Sequence, residues 1–273
     1  MCKLYNAIRC FGEYHNADKA PDENTLLQLT QSLIDEGADL NAKESTFGWT
    51  ALHATIVDER DSIAQLLLDC GADINVPDDK GNTPLHLAIS RRRTSVAKIL
   101  IERGADVNAC DTYLSNTPLH TAAENEDSGG DTVSTPPLVI TKLLIANGVD
   151  INARNNLGET PLHRAEGFQG NTTMACFLIQ NGADVNAVTY DDVGGDLRSS
   201  TPLHYAIAGI AHDYNHLISA GADLTAKNLS GETPQQFYTA LNGRNRYMEK
   251  LLSPSLLHKL LNFLRRRYLK RKK

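Results

Sequence analysis

The chain has 273 residues, 41% hydrophobic and 22% charged, an ordinary globular balance that excludes a wholly disordered or collagen-like protein. No apolar run approaches the ~18 residues of a membrane span, and Met1–Arg9 lacks the apolar stretch of a signal peptide, so a cytosolic protein is expected. The net charge of −6 hides a division: nine of the 27 basic residues stand at or after Lys250, where there is no acid, so the body carries −15 and the tail +9.

In chain order, the first helical segment runs from about Leu4 to Glu36 and ends at Gly37-Ala38-Asp39. From there two short tags recur in step. Thr50-Ala51-Leu52-His53 returns as Thr83-Pro84-Leu85-His86, Thr117-Pro118-Leu119-His120, Thr160-Pro161-Leu162-His163 and Thr201-Pro202-Leu203-His204, then fades to Thr233-Pro234-Gln235-Gln236. The second tag follows each: Gly71-Ala72-Asp73, Gly104-Ala105-Asp106, Gly148-Val149-Asp150, Gly182-Ala183-Asp184 and Gly221-Ala222-Asp223.

Each tag has a physical role. Thr caps a helix whose first turn accepts Pro, because the N–H that proline lacks is unpaired there anyway. Apolar residues at three-and-four spacing, such as Ile63, Leu66, Leu67 or Val96, Ile99, Leu100, mark the buried face of a second helix. The tag Gly ends that helix in the left-handed region, and a turn with Gly81, Gly158 or Gly231 folds the chain back toward the next Thr. One helix pair buries too little surface to offset its ordering entropy, so the pairs must stack.

The tags resemble the motifs of the ankyrin repeat family, T-P-L-H-x-A and G-A-D-[VI]-N at a period near 33 residues, over essentially the whole chain. The resemblance implies an all-α solenoid of about seven stacked helix pairs with short β-hairpin fingers. The expected organisation is a repeat domain over 1–252, with a degenerate capping repeat at 1–43 and a degenerate last repeat at 228–252, followed by a basic amphipathic helix at 253–273.

Two spacings are irregular. Thr117 to Gly148 is 31 residues where Thr50 to Gly71 and Thr83 to Gly104 are 21, so ten extra residues, around Asp127 to Pro137, are expected as a loop between two helices. Gly182 to Thr201 is 19 residues where 12 or 13 is usual, predicting a long acidic finger that includes Asp191, Asp192 and Asp196.

Catalytic chemistry finds no foothold, and no cofactor or metal is expected. Five of the nine histidines are the fourth letter of the tag, and the resemblance places them in a hydrogen-bond network that holds the turn. His212 and His216 share one helical face, but no Glu follows the first and no third ligand is evident, so an eroded repeat is the preferred reading over zinc. Asp78-Asp79 and Asp191-Asp192 lack the alternating ligands of a calcium loop. Cys2, Cys10, Cys70, Cys110 and Cys176 include no C-x-x-C pair and are read as reduced thiols.

The resemblance implies a non-enzymatic module that recognises a protein through a concave groove lined by fingers and first helices. Aligned to the tags, Phe47, Trp49, Tyr113, Leu114, Leu157 and Phe168 fall at positions that the repeat leaves free. An alternative for Phe47, Leu114, Leu157 and Leu229 is packing between adjacent fingers. Arg91-Arg92-Arg93, at the turn between two helices, is either a solvated run or a site for an acidic partner. In the tail, Ser253-Pro254 starts a helix with Leu256, Leu257, Leu260, Leu261, Leu264 and Tyr268 on one face. Arg265, Arg266, Arg267, Lys270, Arg271, Lys272 and Lys273 crowd its end. It reads as a cap on the stack, a nuclear-import signal met by an import receptor, an anchor for anionic lipid or nucleic acid, or a docking helix. Ser255–Leu264 also resembles the opening helix of F-box or SOCS-box segments, which makes an adaptor that recruits a ubiquitin-ligase subunit the second functional expectation. The cytosol expected for the protein extends to the nucleus, or to a host cell if the source is a bacterium or virus.

Overall fold

The computed structural model describes residues 3–12, 22–124, 136–167, 170–190, 197, 199–209 and 214–242. Thirteen helices occur among them, in two compact units, residues 1–161 and 162–273.

The first unit holds four helix pairs. They are α1 (Lys3–Gly12) with α2 (Glu23–Asp35), α3 (Ala51–Val57) with α4 (Asp61–Asp69), α5 (Pro84–Ser90) with α6 (Thr94–Glu102), and α7 (Pro118–Glu124) with α8 (Pro136–Ala146). Odd-numbered helices pack on their odd neighbours and even on even, which makes two layers of parallel repeats. Leu52, Ile56, Leu85, Ile89 and Leu119 fill the core from one layer and Ile63, Leu67, Val96, Leu100, Ile140 and Leu144 from the other. Each such side chain gains roughly 1.5–3 kcal/mol by leaving water. The second unit repeats the plan with α9 (Pro161–Glu166), α10 (Thr172–Gln180), α11 (Pro202–Ala208), α12 (Asn215–Ala220) and α13 (Pro234–Asn242).

The all-α repeat architecture is as expected, with one boundary corrected. Pro136 and Pro137, assigned to a loop on composition, open α8 instead. Proline is compatible with a first helical turn for the reason already given for the tags, so its presence did not mark the loop's end. Residues 125–135, 191–196 and 243–273 lie outside the described residues, and with them the loop, the acidic insertion and the C-terminal helix.

The tag histidines join each repeat to the next. The Nδ1 of His86 accepts the backbone N–H of Thr83 at 3.3 Å and lies 3.0 Å from the Thr83 hydroxyl, while Nε2 lies 3.1 Å from the Asn116 carbonyl in the following repeat. A carbonyl only accepts, so the Nε2 proton points forward and Nδ1 is bare. His53, His120, His163 and His204 make the same forward bond to Asn82, Glu159, Ser200 and Glu232, at 3.0 to 3.3 Å. Gln236 stands in for histidine in the faded tag, its side-chain oxygen accepting the Thr233 N–H at 3.0 Å.

A second set of rungs runs through the other tag. Asn41, Asn75 and Asn108 accept the N–H of Asp73, Asp106 and Asp150, one repeat on, at 2.8 to 2.9 Å, and Asn186 does so for Asp223 at 2.7 Å. Within each unit these repeats are thereby bonded to their successors through the finger base or the residues after the second helix.

Burial pushes the imidazoles of His53, His86 and His204 below their ordinary range, against the smaller pull of the carbonyls they face. The folded protein holds these rings neutral where the unfolded chain, with histidines near pH 6.5, protonates them. Their stabilisation is therefore complete above about pH 6.5 and is lost as pH falls below it toward each ring's depressed folded value, at up to about 1.4 kcal/mol per ring per pH unit. Urea unfolding of the first unit, followed by hydrogen exchange in α3 and α5, should show stability rising from pH 5 to 7. His86→Gln should flatten that rise for the α5 region.

Candidate functional site

Between each tag Gly and the next tag Thr the chain makes a finger, and the base of each finger is closed by one backbone bond. Glu44 donates to the Trp49 carbonyl at 2.9 Å, Asp78 to Asn82 at 2.8 Å, Asp111 to Asn116 at 3.0 Å and Asn155 to Glu159 at 3.0 Å. No β-strand is formed among the described residues, because a hairpin this short closes with a single rung.

The residue that opens each finger also clips its tip. The Asp78 carboxylate accepts the N–H groups of Lys80 and Asn82, both at 2.8 Å, and Asp111 accepts those of Tyr113 and Leu114 at 3.0 and 2.8 Å. Asn155 does the same for Leu157 and Glu159 with its amide oxygen. In the first finger Glu44 accepts the N–H groups of Thr46, Phe47 and Trp49. Burial opposes its charge, but those donors outweigh it and hold the Glu44 carboxyl below the usual range.

Neighbouring fingers of the first unit are bonded tip to tip. The Asp79 N–H reaches the Phe47 carbonyl at 2.9 Å, Thr112 reaches Lys80 at 2.9 Å and Asn156 reaches Leu114 at 2.7 Å. The approach is close enough to require glycine: a Cβ on Gly81 would collide with the Thr112 backbone, and one on Gly48 with Asp79. Both glycines also hold positive φ, at 79° and 69°. In the third tip of the row Ser115 takes that conformation, at φ 57°, which costs a residue with a side chain roughly 1–2 kcal/mol.

On this row the structure brings together five of the residues expected to bind a partner. Phe47 is 51% exposed and Tyr113 80%. The rings of Phe47 and Trp49 lie 5.1 Å apart at 32°, so the half-buried Trp49 is partly covered by Phe47 and the two present one aromatic surface. Leu114 and Leu157 are half-buried, whereas Phe47 and Leu229 are exposed.

The other candidates lie elsewhere. Arg91 is exposed at the C-terminal cap of α5, the opposite end of that helix from the finger base, and Arg93 is tied to Glu59 at 2.6 Å. Phe168, His212 and the basic residues of the tail lie outside the described residues. Exposed Val188 and Tyr190, at the start of a finger in the second unit, escaped the sequence reading. The signal for them in the sequence is an aromatic, Tyr190, directly before the acidic insertion at Asp191-Asp192.

The tag histidines are engaged in the fold as described, and burial, with Asp111 and Asp106 nearby, pushes the Cys110 thiol up and away from its reactive thiolate.

The fold and the finger row define a repeat protein, and comparison with known proteins gives the family. The family model for ankyrin repeats (3 copies) matches residues 19–111, 104–189 and 137–228, and the chain belongs to the ankyrin repeat family. It is 32% identical over 217 residues to the chicken nuclear factor NF-kappa-B p105 subunit, covering 74% of this chain and 20% of that protein. It is also 32% identical over 197 residues to human neurogenic locus notch homolog protein 1, covering 72% of this chain and 7% of that one. With the fowlpox virus ankyrin repeat protein FPV233 it shares 42% identity over 65 residues, 24% of this chain and 12% of that protein. The chain thus spans a fifth or less of these relatives. The ankyrin repeat domain of Bcl-3, a member of the IkappaB family, superposes with a TM-score of 0.62 at 24% identity over 86% of this chain and 92% of that domain, which supports the same fold.

Asp111→Ala should open the finger that carries Tyr113 by removing the one oxygen that accepts both N–H groups at its tip, at a cost of about 1–3 kcal/mol. Hydrogen exchange resolved to residues 111–117 measures it, with exchange in α3 unchanged.

Proposed function

We propose that the protein is a non-enzymatic recognition module whose first unit binds a protein partner along the finger row, through Phe47, Trp49, Tyr113, Leu114 and Leu157. The observation that carries this reading is Tyr113: it is 80% exposed at a tip whose backbone is clipped, bonded to its neighbour and held in a strained turn. A large side chain displayed on so fixed a support gains nothing for the stack, and it binds with little ordering cost. Membership of the ankyrin repeat family supports protein interaction as the activity, and the relatives named above make a cytoplasmic or nuclear protein our preferred setting. Among the described residues no helix is long and apolar enough to cross a membrane.

The charge division supports a second role for residues 253–273. In that reading this basic tail, which holds eight of the nine basic residues from Lys250 onward, docks on an anionic lipid surface, a nucleic acid or an import receptor, or brings a ubiquitin-ligase subunit to the bound partner.

Trp49→Ala and Tyr113→Ala should each weaken capture of the partner by about 2 kcal/mol, since aromatic anchors carry a disproportionate share of interface energy. Neither should lower the melting temperature as a core Leu→Ala change does. Affinity capture with wild-type bait identifies the partner, and titration calorimetry with both variants measures the loss. Unchanged affinity in both removes the finger row as the binding surface. Deleting 253–273 should abolish any salt-sensitive binding to anionic vesicles and leave partner affinity intact.

A further inference from the structure

Two positions in the second unit carry an ionisable side chain where the other repeats with both tags intact carry an apolar one. Six residues after the tag Thr stand Ile56, Ile89, Ala123 and Ile207, all buried, but the fifth repeat has Glu166, fully buried at the end of α9. Five residues before the tag Gly stand Leu66, Ile99, Leu143 and Phe177, but the sixth repeat has His216 in α12. The two exceptions meet: His216 Nε2 lies 2.5 Å from Glu166 Oε1. The second carboxylate oxygen, Oε2, has no hydrogen-bond partner. A carboxyl group alone does not suit a fully buried position, and the imidazole of His216 supplies its hydrogen bond.

We propose that Glu166 and His216 form a one-proton latch between α9 and α12, closed while the pair shares a single proton and loosened when that proton leaves at alkaline pH or a second one arrives in acid. With one proton the hydrogen bond is satisfied whether it is written as carboxylate and imidazolium or as acid and imidazole. Loss of that proton leaves a buried carboxylate beside a neutral ring. Gain of another neutralises the carboxylate and leaves the imidazolium charge half-buried with no counter-charge from its partner.

Among the described residues, the ionisable groups on the surrounding elements are His163 and Arg164 on α9, Cys176 on α10, His204 and Tyr205 on α11, Tyr214 at the cap of α12 and Tyr238 on α13. His204 is committed to its own clamp, and burial with Tyr238 and Glu166 nearby pushes Tyr214 up to about 12, so it stays neutral. Burial raises the Glu166 carboxyl, and His216 supplies the opposing pull.

The unfolded chain carries one proton on this pair between about pH 4.3 and 6.5, none above and two below. The latch's contribution is therefore flat in that window and falls on either side of it. Above pH 6.5 its sign is opposite to that of the tag histidines, whose contribution is then complete. Local stability of α9 and α12 should decline with rising pH where the rest of the stack holds steady.

The test is hydrogen exchange of the full chain from pH 5.5 to 8.5, corrected for intrinsic rates, comparing wild type with the double variant E166I/H216L, whose residues other repeats carry at these positions. Wild-type protection in residues 161–166 and 215–220 should fall about tenfold per pH unit above 6.5, with α5 and α6 unaffected, and the double variant should lose the decline. A decline that persists in the double variant, or its absence from wild type, overturns the proposal. Should the double variant not fold, imidazole nitrogen shifts of His216 in the wild-type chain decide: no titration between pH 5 and 7 supports the latch, and a midpoint near 6.5 overturns it.

Discussion

Each tag histidine belongs to two repeats at once, and the rest of the structure depends on that division. Its Nδ1 fixes the turn that starts its own helix, and its Nε2 proton fixes a carbonyl at the finger base of the repeat that follows. For His86 the carbonyl is that of Asn116, one residue before the next tag Thr. The bond therefore sets where the next helix begins and where the finger carrying Tyr113 and Leu114 stands. Each such bond is net worth only about 1 kcal/mol, but a buried ring left with an unpaired nitrogen costs more than the bond contributes. That asymmetry is why the tag returns with so little change.

Once the base of each finger is fixed, its tip is free to vary. Asp78, Asp111 and Asn155 close their loops from within by accepting backbone N–H groups, and the backbone bonds from Asp79 to Phe47 and from Asn156 to Leu114 do not ask what the side chains are. The tips consequently accommodate Phe47 in one finger and Tyr113 in another without disturbing the layers beneath. A surface built on main-chain bonds and presented by variable side chains suits the recognition role proposed for it.

Much of this was legible in the sequence because the determinants are local and repeated. The Thr cap, the Gly end and the apolar spacing of Val96, Ile99 and Leu100 each name a piece of one repeat, and their return at a fixed period names the stack. What was not legible depends on neighbours. Pro136 and Pro137 read equally well as loop or as first helical turn. The clips by Glu44, Asp78 and Asp111 look in sequence like solvated acids, since only the folded finger brings N–H groups to them. Glu166 and His216 are 50 residues apart, and each looks like a flaw until the stack brings them to 2.5 Å. The exposure of Phe47 against the partial burial of Leu114 likewise depends on the next finger over.

The most direct test of this account is residue-resolved hydrogen exchange in His86→Ala, read one repeat away from the mutation. If the histidine clamp positions the following finger, protection should be lost in residues 111–117, where the Asn116 carbonyl has lost its donor, as well as in the turn at Thr83, while the finger at 78–82 keeps its protection. Loss confined to residues 83–90, with 111–117 as protected as in wild type, would contradict it.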